Sequence, residues 1–225
     1  MAYNESDARH TALPMKVIPI IDAPERAAEI AGILAGGGLA CFPVRGAYRI
    51  AADARSEDAV TRLMQSKRRA HNHPTLVLVA NLAGARGIVD GTAWKTTRRL
   101  AERLWPGPLT LVLPPSDELP VKVRKVLSRA TGKLGIRMPE DPLVSLILHN
   151  FGSPLLLSSA NFEKKPGSSS AAAVRQRFVR AVDIWVDAGD VTPAAPSTIV
   201  EVTETSWTLL RDGAVPLADV ERAAA

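Results

Sequence analysis

Short apolar runs alternate with helical stretches along most of this chain, and no other feature of the sequence limits its fold as strongly. The runs at residues 75–79 and 109–113 are each five residues long, and two prolines follow the second one. Runs of this length are typical of buried β-strands. Residues 22–36 and 92–104 instead carry apolar side chains at helical spacing. The alternation of the two element types predicts a single α/β domain.

The remaining segments complete a mixed pattern of strands and helices. We predict strands at residues 17–21, 39–43, 75–79, 109–113, 133–138, 154–157, 181–186, 197–202 and 206–210. We predict helices at residues 22–36, 56–64, 92–104, 119–130, 141–150 and 171–179, and a short one from Leu217. The last two strands fit a hairpin, whereas most of the others are separated by helices. This mixture predicts one twisted mixed sheet with flanking helices, formed by residues 15–225 after a flexible leader at residues 1–14.

The charge of the chain favours an anionic partner. Its net charge is +5, and its pI is about 9.7. A nucleotide or RNA fits this excess, although a composition rich in Ala and Arg alone gives a similar value. The single cysteine, Cys41, lies in an apolar run, so we expect a buried structural thiol. One cysteine also excludes an internal disulfide.

The sequence contains no sign of a membrane segment. No stretch is long and apolar enough to span a bilayer. The first fourteen residues lack the apolar core of a signal peptide. We therefore expect a cytoplasmic location and no membrane partner.

Four short stretches at the ends of apolar runs carry the side chains that bind phosphate. They are residues 67–69, 135–137, 158–161 and 210–213. Guanidinium groups offer a planar fork of donors to phosphate, and lysine offers a point charge. A Ser/Asn turn adds hydroxyl and backbone N–H groups. In an α/β fold such strand ends meet at a ligand crevice, so the four stretches together predict a nucleotide site.

Each stretch also has a simpler interpretation. Residues 67–69 fit a solvated basic turn, and residues 158–161 fit a turn that caps the next segment. Arg137 ends an otherwise apolar strand and needs an anionic partner, either a ligand or the nearby carboxylate of Glu140 or Asp141. Arg211 precedes a turn, where it either covers a phosphate or lies in solvent.

Several familiar chemistries are missing from the sequence. The glycines at residues 36–38 lack the lysine and hydroxyl of a P-loop. His71 and His73 are the only closely spaced histidines, and no Cys or carboxylate lies beside them, so we predict no metal site. No Gly-x-Ser-x-Gly elbow is present either.

Taken in order, these segments resemble the YrdC-like family of threonylcarbamoyl-AMP synthases. That family carries a Lys-x-Arg pair, a Trp/Pro-Gly-Pro-x-Thr segment, an Arg-ending strand before a proline, a Ser-x-Asn turn, a Ser-Thr-Val strand and an Arg-Pro-Gly turn. The matching segments of this chain are residues 67–69, 105–110, 136–139, 159–161, 197–199 and 210–213. The resemblance extends over roughly residues 20–215, with compatible spacing throughout.

The resemblance implies a twisted α/β sheet with a large basic cavity. It also implies a reaction in which ATP, bicarbonate and L-threonine give threonylcarbamoyl-adenylate and pyrophosphate. The product modifies the adenosine beside the anticodon of certain tRNAs. Such a site works by positioning and by neutralising phosphoryl charge, and Mg²⁺ is expected to share that task.

The resemblance further implies roles for single residues, in three groups. The catalytic group, on the triphosphate and the nucleotide, is Lys67, Arg69, Ser159 and Asn161. The group that completes the nucleotide contacts is His73, Lys133, Ser158 and Arg211. The group on the amino-acid side is Tyr48, Arg137 and Ser197.

One segment departs from the family pattern. The family's Pro-Thr-Glu-Thr-Val-Tyr-Gly-Leu run corresponds to residues 43–50, where only Pro43 and Tyr48 match. Arg45 replaces the acid and Arg49 replaces the glycine, and both threonines are absent. The sequence therefore leaves three functions open. They are the family reaction with threonine or another amino acid, a non-catalytic paralogue that binds nucleotide, tRNA or double-stranded RNA, and an accessory to carbamoyl transfer in a biosynthetic pathway.

Overall fold

A ten-stranded mixed sheet forms the centre of the molecule in a computed structural model that describes residues 14–67, 75–160 and 170–225. The strands are β1 (Lys16–Pro19), β2 (Ala40–Val44), β3 (Ala47–Asp53), β4 (Leu76–Leu78), β5 (Leu109–Leu113), β6 (Leu134–Arg137), β7 (Leu155–Ser159), β8 (Ile184–Asp187), β9 (Thr198–Val202) and β10 (Trp207–Arg211). Their order across the sheet is β1-β8-β2-β3-β7-β4-β6-β5-β9-β10. Parallel and antiparallel pairs both occur, which confirms the predicted mixed sheet.

Helices cover the two faces of the sheet unequally. They are α1 (Ala27–Ala35), α2 (Glu57–Lys67), α3 (Leu82–Arg86), α4 (Trp94–Leu104), α5 (Val121–Leu127), α6 (Pro142–Phe151), α7 (Ala171–Phe178) and α8 (Leu217–Ala224). On one face, α1 and α6 pack against β1, β2, β4, β7 and β8 around Phe42 and Leu155. On the other face, α2, α4, α5, α7 and α8 bury a larger core around Ile50, Leu111 and Trp185. None of the helices that the structure describes is long and apolar enough to cross a membrane.

The cover provided by α1 and α6 ends partway across their face. The hydrophobic cluster that they form includes no residue of β5, β6, β9 or β10. Successive strand residues point to opposite faces, and directly paired residues point to the same one. Arg137 pairs with Leu78 and therefore lies on the α1/α6 face, beyond the end of those helices. Polar side chains, among them those of Arg137 and Thr110, are buried in this region outside the hydrophobic cluster.

Most predicted elements are confirmed, and the differences have local causes. Residues 109–113 form β5 as predicted, and the edge strand and the final hairpin are also present. The Oγ of Ser56 accepts a hydrogen bond from the Ala59 N–H at 3.2 Å, as expected for a helix cap. The helix that it starts continues to Lys67, so the placement of Lys67 on a non-helical segment was wrong.

Two elements were not predicted. β3 contains three alanines, an arginine and an aspartate, and such residues give a weak strand signal on their own. Its pairing with β2 and β7 supplies the stabilisation that the local sequence lacks. α3 is only five residues long and includes Gly84, so it carries little periodicity.

A tight turn at the tip of the β2–β3 hairpin positions the site described below. Arg45 and Gly46 form the turn with positive φ values of 49° and 68°. Positive φ at both central residues is the signature of a two-residue type I′ hairpin, in which glycine is unstrained and arginine is not. The tip also contacts the chain between β8 and β9, because the Ala194 N–H donates to the carbonyl of Arg45 at 3.3 Å. A Cβ on Gly46 would lie 1.8 Å from the carbonyl oxygen of Thr192.

Replacing Gly46 by alanine should therefore destabilise the protein more than the same change at Gly37. Gly37 also has a positive φ, of 80°, but a Cβ there would meet no atom within 4 Å. Gly37→Ala isolates the backbone strain and should lower the free energy of unfolding by about 1 kcal/mol. Gly46→Ala adds the clash with Thr192 and should cost a further ~1–3 kcal/mol. Urea unfolding of both variants measures the difference, and equal losses would show that the tip does not pack against this loop.

Candidate functional site

Four arginines from three separate parts of the chain share the region beyond α1 and α6. They are Arg45 at the hairpin tip, Arg49 on β3, Arg137 at the end of β6 and Arg211 at the end of β10. The positive charges of the other three all lower the pKa of Arg137, as expected when cations lie close together. We call the sheet surface that carries Arg49, Arg137 and Arg211 the arginine face.

Arg137 is the most deeply buried of these arginines. Its side chain is 4% exposed, and its Nε is buried without a hydrogen-bond acceptor. Burial is the largest cause that lowers its pKa, to about 10, although the charge of Glu140 acts in the opposite direction. Within the described residues, neither predicted carboxylate forms an ion pair with it. Glu140 pairs with Arg45, and Asp141 accepts a hydrogen bond from the Val144 N–H at the start of α6.

Arg211 is held against the start of β9 rather than extended into solvent. Its Nε and Nη2 donate to the carbonyl oxygen of Ser197 at 3.1 and 2.7 Å, and Nη2 lies 3.1 Å from the Ser197 Oγ. The same Oγ lies 3.0 Å from the Oγ1 of Thr110 on β5. Arg211, Ser197 and Thr110 therefore form one connected polar group at the edge of the arginine face.

Arg45 fixes the hairpin tip to two other segments of the chain. Its guanidinium forms an ion pair with Glu140 and donates through Nη2 to the carbonyl oxygen of Ala195 at 2.7 Å. These bonds stabilise a left-handed backbone conformation that is costly for arginine. The charge of Arg45 is thus matched inside the protein, unlike that of Arg137.

Lys67 lies at the strand ends beside the arginine face. Its Nζ donates to the carbonyl oxygen of Ser159 and lies 5.6 Å from the ring centroid of Phe178. Burial, followed by the charges of Arg177 and Arg49, lowers the pKa of Lys67 to about 8. Arg49 is the ladder partner of Ser159. The structure therefore brings together two predicted catalytic residues, Lys67 and Ser159, with Arg49 next to them.

The two adjacent serines of β7 do not share a face. Ser159 pairs with Arg49, whereas Ser158 pairs with Ile50 of the core beneath the five helices. The prediction that both hydroxyls face one crevice is therefore wrong, because the pleat of a strand sends neighbouring side chains to opposite sides. Ser159 alone lies on the same side as Arg49.

Tyr48 occupies the core instead of the site surface. Its side chain has no exposed area, and its ring stacks on Trp185 at a centroid distance of 4.3 Å. The hydroxyl donates to the carbonyl of Gly189 at 2.8 Å and accepts from the N–H of Ala188 at 3.0 Å, and burial raises its pKa. The predicted substrate contact is therefore not supported, since the side chain is fully engaged in anchoring β3 to the end of β8.

Lys133 is separated from the other predicted nucleotide residues. It precedes the first residue of β6, whereas Arg137 is the last, and four residues of strand span about 13 Å. Its ammonium forms an ion pair with Glu201 on β9. Its charge is already matched, so the predicted contact with the nucleotide is not supported either.

Three predicted site residues, Arg69, His73 and Asn161, lie outside the residues that the structure describes. Their roles stay predictions, as does the leader at residues 1–14. Cys41 is buried as expected, and burial strongly raises the pKa of its thiol. Arg49 was noted only as a departure from the family pattern. It was not named among the site residues, because β3 was not predicted and the alternation of its side chains was not known.

Two further features bear on what the site can hold. In the three described ranges, no group of at least three His, Cys, Asp or Glu side chains is placed to hold a metal ion. A separate cavity of about 290 Å³ lies between α6 and the ends of β4 and β6, and its walls include Asn81, Met138 and His149. None of the predicted site residues lines that cavity, so it is distinct from the arginine face.

Comparisons with known proteins agree with this architecture. The sequence model of the Sua5/YciO/YrdC family, described as "Telomere recombination", matches residues 32–213. A threonylcarbamoyl-AMP synthase of Pyrococcus abyssi is 31% identical over 208 residues, which are 90% of this chain and 60% of that protein. A putative threonylcarbamoyl-AMP synthase of Mycobacterium leprae is 33% identical over 208 residues, which are 91% of this chain and 92% of that protein.

A solved structure extends the similarity to the fold. The crystal structure of P. abyssi Sua5 complexed with L-threonine has a TM-score of 0.77 and 28% identity, and it covers 94% of this chain and 61% of that chain. This chain thus spans about three fifths of the length of the P. abyssi protein. The matched residues include nearly the whole sheet together with the arginine face, and the chain belongs to the Sua5/YciO/YrdC family.

Proposed function

We propose that this chain is an enzyme that forms threonylcarbamoyl-adenylate from ATP, bicarbonate and L-threonine. The observation that carries the proposal is the burial of Arg137 without a counter-charge among the described residues. An unpaired buried guanidinium is costly, so the site favours an anionic ligand that supplies the missing acceptors. The carboxylate of an amino acid fits this requirement, and the names of the P. abyssi and M. leprae relatives support threonine.

The nucleotide is assigned to the other end of the arginine face. Lys67, Ser159 and Arg49 lie together there, at the carboxyl end of β7. Strand ends of this kind are where α/β proteins bind nucleotides, and the two cations would neutralise the charge of the phosphates. Arg69 and Asn161, on the two flanking segments, are proposed to complete these contacts.

The proposed chemistry needs no nucleophilic side chain. The amine of threonine and bicarbonate form a carbamate with loss of water. An oxygen of the carbamate then attacks the α-phosphorus of ATP. The bond from that phosphorus to the oxygen bridging the α- and β-phosphates breaks, and pyrophosphate leaves. The protein contributes by orienting the two anions and by offsetting their mutual repulsion with fixed positive charges.

Mg²⁺ remains part of the proposal only as an ion brought in by ATP. Glu140 is the carboxylate whose charge raises the pKa of Arg137, and it already forms an ion pair with Arg45. The side chains described on the arginine face therefore do not form a binding site for a divalent cation. A role in the cytoplasm, with tRNA as the final acceptor of the threonylcarbamoyl group, also stays a proposal.

A second candidate function is nucleotide or RNA binding without this reaction. The segment at residues 43–50 favours it, because both threonines of the family motif are absent and Tyr48 is buried. A pocket without matching hydroxyls discriminates weakly for a hydroxylated substrate. The two candidates differ in whether pyrophosphate is released.

The first test is a pyrophosphate-release assay with ATP, bicarbonate and a panel of amino acids. We expect release that depends on L-threonine at about 1 s⁻¹, an ordinary enzymatic turnover. Arg137→Met should lower kcat/KM for threonine at least about tenfold, since a lost charge-assisted bond costs ~1.5–3 kcal/mol. The same variant should unfold no more easily than the parent, because it removes an unpaired buried charge. Arg98→Met, on an exposed face of α4, is the control. Release from ATP alone, without any amino acid, would contradict the proposal.

A second test uses the lowered pKa of Lys67. In the free protein this side chain loses its charge as the pH rises through about 8, so ATP affinity should fall between pH 7 and pH 9.5. Lys67→Arg should weaken this dependence, because guanidinium stays charged over the whole range. The exposed Lys122→Met serves as the control in calorimetry.

The lowered pKa of Lys67 also makes the stability of the protein depend on pH. The unfolded chain, where lysine titrates near its ordinary value of 10.5, binds more protons than the folded chain between pH 8 and 10.5. The contribution of Lys67 to stability should therefore rise with pH in that window. The difference in unfolding free energy between the parent and Lys67→Met measures it, and a flat difference would place Lys67 in solvent.

RNA binding is tested by its dependence on salt. If the basic surface neutralises phosphates, affinity for tRNA or double-stranded RNA should fall steeply with added salt, with a log–log slope near −0.9 per phosphate for a duplex. Filter binding across a salt series gives the slope. Absence of binding at low salt would attribute the high pI to composition alone.

A further inference from the structure

Arg45 occupies a position that is costly for an arginine. Among the described residues it is the one non-glycine residue with a positive φ, of 49°. Its Nε is also buried without a hydrogen-bond acceptor. Asparagine or glycine would take this turn position at a lower cost in backbone strain. Strain of this kind persists where the surrounding structure holds it in place, and it points to a role for the side chain.

The Arg45 side chain joins the hairpin tip to two other segments. Its Nη1 forms an ion pair with Glu140, in the connection from β6 to α6. Its Nη2 donates to the carbonyl oxygen of Ala195 at 2.7 Å, in the chain between β8 and β9. The backbone carbonyl of Arg45 accepts from the Ala194 N–H at 3.3 Å in the same chain. The guanidinium is therefore fixed from two sides, and it fixes the Glu140 carboxylate in turn.

These contacts place the Glu140 carboxylate close to the end of β6. The antiparallel register of β5 and β6 sets Thr110 opposite Arg137, and the Thr110 Oγ1 lies 3.0 Å from the Ser197 Oγ. Ser197 comes two residues after Ala195, which accepts from the same guanidinium as Glu140 binds. Two residues of extended chain span about 7 Å. Glu140 also follows Arg137 by only three residues, so its carboxylate is within reach of that guanidinium.

Glu140 is a natural counter-ion for Arg137 but does not pair with it. The Arg137 guanidinium is 4% exposed and forms no hydrogen bond or ion pair with residues 14–67, 75–160 or 170–225. Burial is the largest influence on the pKa of Arg137 and lowers it, whereas the charge of Glu140 raises it. A buried cation gains from direct contact with a carboxylate. The ion pair with Arg45 therefore withholds from Arg137 a partner that it would otherwise bind.

We propose that Arg45 is a positioning residue, which holds Glu140 away from Arg137 and so leaves Arg137 open to the carboxylate of the amino-acid substrate. The identity of that ligand rests on the proposed function, whereas the competition of two arginines for one carboxylate does not. Without Arg45, Glu140 turns to Arg137, neutralises its charge and occupies its donors. A substrate then has to displace an internal carboxylate, and its apparent affinity falls with the fraction of molecules in which Arg137 is open.

The pair of Arg45 with Glu140 belongs to the segment in which this chain departs from the family motif. That motif has an acid at the position of Arg45, and an acid cannot form an ion pair with Glu140. The arginine therefore brings both the strain at the hairpin tip and the contact that fixes Glu140.

The kinetic test removes first Arg45 and then Glu140. Arg45→Asn removes the guanidinium but keeps a residue that tolerates positive φ, so the variant should fold. Its KM for threonine should rise about tenfold or more, as expected if Arg137 is open in a tenth of the molecules or fewer. Its kcat and its KM for ATP should change less than about threefold. Adding Glu140→Gln should return the KM for threonine to within about threefold of the parent, because glutamine carries no charge to neutralise Arg137.

Arg98→Gln is the matched control. Arg98 forms an ion pair with Glu102 on the exposed side of α4, so its loss should leave all three constants unchanged. An unchanged KM for threonine in Arg45→Asn overturns the inference. A raised KM that Glu140→Gln does not restore also overturns it, because Arg45 then acts by contacting the substrate or by shaping the hairpin tip.

Unfolding measurements test the competition without any substrate. In the parent, Arg137→Met removes an unpaired charge and should not lower the urea midpoint. In the Arg45→Asn background the same substitution leaves Glu140 without a partner, so it should lower the midpoint. If this coupling is found but the parent neither binds nor uses threonine, the positioning by Arg45 stands and the proposed function is wrong. If Arg137→Met has the same effect in both backgrounds, the inference is overturned even where the parent releases pyrophosphate.

Discussion

The burial of guanidinium groups without matching carboxylates is the constraint on which the site depends. Arg137 is 4% exposed at the end of a central strand, and three other arginines lower its pKa further. Such an arrangement opposes folding, so the two hydrophobic clusters on either side of the sheet must offset it. The fixed charges are then in place before an anion arrives, and little reorganisation is needed when charge develops in the reaction.

The β2–β3 hairpin connects this charged surface to the rest of the fold. Its tip is locked by the ion pair of Arg45 with Glu140 and by the contact of Gly46 with Thr192. Four residues further on, the sheet ladder sets Arg49 beside Ser159, and the stacking of Tyr48 on Trp185 fixes the opposite face of the same strand. The segment that departs most from the family motif is therefore well anchored. Its side chains differ from those of the motif, but ion pairing, strand pairing and ring stacking hold the segment in place.

Site predictions drawn from the local sequence had a different outcome from those taken from the family resemblance. Arg137 was expected to need an anion because a charged residue ended an apolar run, and its burial agrees with that reasoning. Ser159 was placed correctly at a strand end, but Ser158 faces the other side because β7 extends through both serines. Tyr48 and Lys133 were assigned from the family resemblance, and their actual partners, Trp185 and Glu201, are more than sixty residues away in the sequence.

The sequence by itself determined the α/β class, most of the strands and the family, because apolar runs, turn residues and ordered motifs are local signals. The hairpin of β9 and β10 and the helix cap at Ser56 were also predicted from local signals. Only the tertiary structure decided that β3 is a strand, that Glu140 pairs with Arg45 rather than with Arg137, and that Arg49 shares a sheet face with Ser159 and Arg137. Those outcomes follow from strand order and register, which bring together residues that are distant in the sequence and which no short stretch of it encodes.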